Sequence, residues 1–119
     1  MVKKLLICDD DADIVDMLEM VLDEPGFQLI TETDSRKVLE LVLNEKPDLL
    51  LMDLWMPVMS GDQVLQQIRS NELLKALPVM IMSASRDGQS IAMDAGASGY
   101  IAKPFDIDEL VTRVHQLAE

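Results

Sequence analysis

The sequence predicts a doubly wound α/β fold, a sheet of five parallel strands with helices on both faces. Three observations lead there. Short apolar runs recur along the chain, each long enough for one strand. Apolar residues at helical spacing lie between them, so that a strand-then-helix unit repeats five times. The central runs are apolar at successive positions rather than alternating, as a sheet covered on both faces requires. With 119 residues, 49% of them hydrophobic, the chain fits one domain over residues 1–119 with a single core. Aromatics make up only 3%, so that core must be aliphatic. The nine Met residues suit it, because flexible thioethers fill irregular gaps.

Val2 to Cys8 reads as the first strand, followed by Asp9, Asp10 and Asp11. Ile14, Met17, Leu18, Val21 and Leu22 then recur at helical spacing until Pro25 and Gly26 break the pattern. Phe27 to Thr33 is a second, more exposed strand. Asp34 or Ser35 is placed to cap a helix whose inner face carries Val38, Leu41 and Val42, and Pro47 closes it. Asp48 to Asp53 forms the third strand, and Pro57 to Gly61 turns the chain. Val64, Leu65 and Ile68 mark the third helix, while Asn71 to Leu77 carries no clear pattern. Pro78 opens a fourth strand, Val79 to Met82, with Ser83 at its end. Ser85 to Ala95 is a helix diluted by Gly88, and Gly96 to Gly99 is a turn. Tyr100 to Ala102 is the fifth strand, and Ile107 to Leu117 the last helix, entered through Asp106 or Asp108.

A formal net charge of −12 argues against direct nucleic-acid binding, because phosphates repel an acidic surface. It favours a cation or a basic protein as partner. Cys8 is the only cysteine, so no intramolecular disulfide forms, and it reads as a small buried apolar residue. No signal-like apolar segment follows Lys3 and Lys4, and no run approaches the roughly 20 residues that span a bilayer. The expectation is a soluble cytoplasmic protein with no membrane partner. His115 reads as a solvated residue of the last helix.

In open parallel sheets, functional groups collect beyond the carboxyl ends of the strands. Those ends carry Asp9 and Asp10, Asp53, Ser83 and Lys103. Three carboxylates on one edge repel unless a cation compensates. All-oxygen donors suit a hard divalent ion such as Mg²⁺. A carboxylate nucleophile, a metal, an ammonium and a hydroxyl together are what phosphoryl transfer to an aspartate needs.

CDDD at 8–11, MDLWMP at 52–57, MSAS at 82–85 and GYIAKPF at 99–105 fall in order at successive strand ends. In these motifs and their intervals the whole chain resembles a two-component response regulator receiver domain, of the single-domain kind used in chemotaxis. The resemblance implies a flavodoxin-like (βα)5 fold with strand order 2-1-3-4-5. It makes Asp53 the acceptor of a phosphoryl group from a sensor kinase phosphohistidine. Asp9, Asp10, Asp53 and the backbone carbonyl of Trp55 would bind Mg²⁺ or Mn²⁺. Lys103 and Ser83 would hold phosphoryl oxygens, and Ser83 with Tyr100 would form the switch. That switch would alter the face made by the fourth helix, fifth strand and fifth helix. Lys103–Pro104 resembles the family's usually cis bond.

The implied partners are a sensor histidine kinase or phosphotransfer protein and a downstream protein or output domain, with room for a phosphorylation-dependent homodimer. The chain would not be an enzyme in the ordinary sense, although it would catalyse its own phosphotransfer and autodephosphorylation. The alternative is a non-phosphorylated pseudo-receiver, against which the intact set of five polar residues speaks. An aspartate-nucleophile phosphatase would want a second Asp at position 55, where Trp55 stands. An FMN carrier would want a Ser/Thr/Gly-rich phosphate loop where Asp9 to Asp11 stand. Trp55 is bulky at a position where the family varies, and its indole is expected to overhang the site.

Overall fold

Among the described residues, the strands are β1 (Lys3–Cys8), β2 (Phe27–Glu32), β3 (Leu49–Asp53), β4 (Val79–Ser83) and β5 (Gly99–Ala102). The helices are α1 (Ala12–Leu22), α2 (Val38–Glu45), α3 (Gly61–Ser70), α4 (Gly88–Asp94) and α5 (Ile107–Ala118). The computed structural model describes residues 2–119; Met1, included in the expected domain, lies outside them. All strand pairs are parallel, in the order β2-β1-β3-β4-β5. Fold class and strand order are those expected.

Successive residues of a strand face opposite sides of the sheet, and this divides the interior in two. Leu6, Cys8, Leu50, Met52, Val79 and Ile81 pack with Val38 and Val42 of α2, Val64, Leu65 and Ile68 of α3, and Ala92 of α4. Leu5, Ile7, Leu49, Leu51, Met80, Met82 and Ile101 pack with Leu18 and Leu22 of α1 and Leu110, Val114 and Ala118 of α5. The single core expected from composition is thus two apolar layers, because the sheet itself separates them. β3 and β4 are buried at every position, which explains their unbroken apolar sequence.

Local chemistry sets the ends of several elements. Asp11 accepts a hydrogen bond from the Asp13 amide at 3.0 Å and caps α1. Asp106 accepts from the Glu109 amide at 3.1 Å and caps α5. Caps of this kind contribute about 1 kcal/mol each. Asp34 rather than Ser35 caps the next segment, which opens as a 3-10 turn over Ser35–Lys37 before becoming α2. Ser35 is instead buried, its hydroxyl donating to the Pro57 carbonyl at 2.8 Å.

Some boundaries move. Asp48 falls outside β3; its carboxylate and amide instead bond the Lys4 amide and carbonyl at 2.8 and 2.7 Å. Gly99 belongs to β5 rather than to the turn, and α4 is shorter than Ser85 to Ala95. His115 is not simply solvated. Its ring lies 4.8 Å from that of Phe27, and its Nε2 is 2.7 Å from the Glu24 carboxylate, because α5 packs beside the segment leading into β2. Among the described residues, no helix is long and apolar enough to cross a membrane.

α3 begins hard against the end of β3. The Gly61 amide donates to the Leu54 carbonyl at 2.6 Å. A Cβ at Gly61 would stand 2.5 Å from the Asp53 carbonyl oxygen and 3.0 Å from Leu54 Cα. Both neighbours are backbone and cannot rotate away. Gly61→Ala is therefore expected to destabilise the protein by about 1–3 kcal/mol, although alanine is the better helix former by about 1 kcal/mol. Urea unfolding checks this; an unchanged or raised midpoint would show that α3 can shift freely.

Candidate functional site

The register of the sheet assembles the site. Cys8 pairs with Met52, so Asp9 and Asp53 leave neighbouring strands at the same level. Asp53 pairs with Met82, and Ser83 with Ala102, which places Lys103 one step beyond β5. Alternation then sorts the side chains. Asp9 follows Ile7, Asp53 follows Leu51, and Lys103 follows Ile101, all on the α1/α5 side. Ser83 follows Ile81 and Tyr100 precedes Ile101, so both belong to the α3/α4 side.

Three of the expected residues meet directly. Lys103 Nζ donates to Asp9 Oδ2 at 2.7 Å and to Asp53 Oδ1 at 2.8 Å. Asp9 and Asp53 are 1% and 6% exposed, so these pairs are shielded from water and salt. Asp9 Oδ1 also accepts the Asp11 amide at 3.0 Å. Asp10 is exposed beside them, and carboxylate oxygens of Asp9, Asp10 and Asp53 lie within 4.8 Å of one another. The Lys103–Pro104 bond is cis.

Burial raises the Asp53 carboxyl above the ordinary Asp range. The Lys103 hydrogen bond pulls it back, and the Asp9 charge pushes it up again, leaving it raised. Burial works against the Lys103 ammonium, but its bonds to Asp53 and Asp9 outweigh that and hold it above the usual lysine range. Three carboxylates face one ammonium, an excess of two negative charges. An all-oxygen donor set with that excess fits one hard divalent cation.

The Ser83 hydroxyl makes no hydrogen bond to this trio. Its Oγ lies 2.9 Å from Ser85 Oγ and accepts the Ser85 amide at 3.0 Å. The Tyr100 hydroxyl donates to the Ser83 carbonyl at 3.2 Å, and the Lys103 amide donates to the same oxygen at 2.9 Å. Arg113 ties α5 to β5 through the Tyr100 carbonyl at 2.7 Å. Trp55 is half exposed, and its Nε1 donates to Ser85 Oγ at 3.1 Å. Cys8 is buried with its sulfur 3.6 Å from that of Met56. Burial first, then nearby carboxylates, push its thiol up to about 12.

Sequence reasoning gave no site role to Ser85, Gly88 or Val58. Ser85 has a signal only in hindsight, as the second serine of MSAS. Gly88 is the buried first residue of α4. Val58 is strained at φ 72°, where a β-branched residue is rarely found. The loop around it is held by Ser35, whose Oγ also accepts the Met59 amide at 3.3 Å.

The family model of the response regulator receiver domain matches residues 5–115. The chain belongs to the response regulator receiver domain family. This receiver is 33% identical over 114 residues to the alkaline phosphatase synthesis transcriptional regulatory protein PhoP of Bacillus subtilis, covering 94% of this chain and 47% of that one. It is 35% identical over 116 residues to the transcriptional regulatory protein PrrA of Mycobacterium tuberculosis, covering 96% and 49%. The chain thus spans about half the length of the curated relatives it matches. Among solved structures, the receiver domain of Francisella response regulator 1452 superimposes with a TM-score of 0.88 at 30% identity, over 98% of this chain and 96% of that one.

Two outcomes follow from this geometry. A carboxyl whose folded pKa is raised contributes stability that is present below its unfolded value and lost as pH rises through the folded one. At neutral pH without divalent cations, Asp53→Asn should therefore unfold at higher urea, by about 1 kcal/mol, the scale of one relieved charge conflict. The gap should close as the pH falls below 3.8, the unfolded value; a gap independent of pH would refute the electrostatic cause. At Gly88, a Cβ would stand 2.8 Å from both Ser83 Cβ and the Tyr100 hydroxyl. Gly88→Ala should displace the Tyr100 ring and shift the NMR signal of this only tyrosine. An unmoved signal would mean that α4 yields instead.

Proposed function

We propose that this receiver is a phosphorylation-driven switch in which Asp53 accepts a phosphoryl group from the phosphohistidine of a sensor kinase or phosphotransfer protein. The observation that carries this reading is the buried Asp53 carboxylate sharing one ammonium with Asp9 at the carboxyl edge of the sheet. Lys103 engages Asp53 Oδ1, so we assign Oδ2 as the attacking atom. Its bond to phosphorus forms as the phosphorus–nitrogen bond breaks, and the donor imidazole leaves with the electron pair.

A Mg²⁺ or Mn²⁺ ion held by Asp9, Asp10, Asp53 and the Trp55 carbonyl would supply charge neutralisation for the transferring group. The protein's own groups do the remaining work. Lys103 is already placed to pair with a phosphoryl oxygen, in exchange for one carboxylate contact. The Ser83 hydroxyl donates to another. Because the Ser83 carbonyl holds the Tyr100 hydroxyl, movement at Ser83 reaches Tyr100 and, through it, the α4–β5–α5 face.

Response regulators of this kind interact with histidine kinases and output domains. For this chain we assign residues 1–119 as one receiver unit working in the cytoplasm, with a downstream protein or output domain reading the switched face. A homodimer formed on phosphorylation would use the same face.

Incubation with acetyl phosphate and Mg²⁺, followed by intact-mass measurement, tests the reading. The parent should gain one phosphoryl group and Asp53→Asn none, and EDTA should abolish the gain. Labelling that persists in Asp53→Asn, or never occurs in the parent, would overturn the assignment.

A further inference from the structure

Trp55 Nε1, Ser85 Oγ and Ser83 Oγ form a continuous chain, with links of 3.1 and 2.9 Å. Indole is a donor only, so the first link has a fixed direction: Trp55 donates and Ser85 accepts. A hydroxyl that accepts a hydrogen bond becomes a better donor in turn. Either hydroxyl could donate in the second link, and the Trp55 bond favours Ser85 as the donor to Ser83 Oγ, which also accepts the Ser85 amide at 3.0 Å. With both acceptor positions of Ser83 occupied, its own proton has no further use within this chain of groups. Ser83 is 1% exposed, so bulk water does not compete for it.

We infer that Trp55 and Ser85 act as a one-way relay that keeps the Ser83 hydroxyl oriented as a donor for a phosphoryl oxygen. Trp55 and Ser85 are positioning residues: they act through Ser83. The inference rests on the phosphoacceptor reading above, since the recipient of the Ser83 proton is a group carried on Asp53. Without Trp55, the Ser83 proton can turn toward Ser85 and must be withdrawn before it serves the phosphoryl group. Without Ser85, that competing acceptor is gone and the Trp55 indole has nothing to act on.

A double-mutant cycle tests this. Affinity for beryllofluoride with Mg²⁺ is read by ¹⁹F NMR, which does not depend on the tryptophan, in the parent, Trp55→Phe, Ser85→Ala and the double variant. Trp55→Phe should weaken binding roughly fivefold, the worth of one hydrogen bond, yet have no further effect in the Ser85→Ala background. Ser85→Thr, which keeps the hydroxyl, should retain the Trp55 effect. In the free protein the indole N–H signal, the only one of its kind, should shift in Ser85→Ala and stay near its parent position in Ser85→Thr.

Equal Trp55→Phe effects in both backgrounds, or none in either, would overturn the relay. So would an indole signal indifferent to Ser85→Ala, and this readout stands even if one variant binds no beryllofluoride. Failure of the parent itself to bind beryllofluoride or gain a phosphoryl group would instead sink the phosphoacceptor reading.

Discussion

The shared ammonium of Lys103 is the constraint on which the rest of the arrangement depends. Two carboxylates, Asp9 and Asp53, sit at the edge of a sheet that excludes water. For Asp53, burial and the neighbouring Asp9 charge both favour the proton, and the Lys103 ammonium is the counter-charge that opposes them. Lys103 supplies that charge to both. It cannot fully balance the third carboxylate, Asp10, and the residual negative charge makes the edge receptive to a cation. The site is therefore held short of electrostatic satisfaction. Carboxylates perturbed in this way cluster at functional sites.

The two apolar layers make this possible. β3 is buried along its whole length, so its end is fixed in depth and direction, and Asp53 cannot relax toward solvent. The same alternation that puts Leu49 and Leu51 against α1 and α5 carries Asp53 to that side, where Asp9 and Lys103 arrive by equal parity. Ser83 and Tyr100 arrive on the other side. The sheet edge thus separates a charged half from a neutral hydrogen-bonded half. The Ser83 carbonyl joins them, accepting the Lys103 amide from one half and the Tyr100 hydroxyl from the other.

Much of this was legible in the residues. The five strands follow from apolar runs, and the cap of the last helix, Asp106, is one of the two candidates that the sequence offered. Asp53 stood out because a carboxylate ends an otherwise apolar run. Other features left no trace. Asn71 to Leu77 lacks a period because it is a series of turns closed by local hydrogen bonds, Leu74 to Asn71 and Leu77 to Leu74. His115 is exposed as read, but its partners, Glu24 and Phe27, left no signal because they are some 90 residues away in sequence. The choice between Asp34 and Ser35 as cap was settled by a tertiary bond, which draws Ser35 inward to the loop around Pro57.

The sequence by itself determined the fold class, the strand order implied by the resemblance, and the identity of the residues at the sheet edge. The fold class and the edge residues could be read because apolar runs, helical spacing and strand-end position are properties of the local chain, whereas the strand order came from the resemblance alone. Only the tertiary structure decided which of those residues touch. Asp9, Asp53 and Lys103 are brought together by register, whereas Ser83 is turned toward Ser85 and thence to the Trp55 indole. Those contacts join four strands and the loops beyond them, and no local pattern encodes distances between segments that meet only when the sheet is complete.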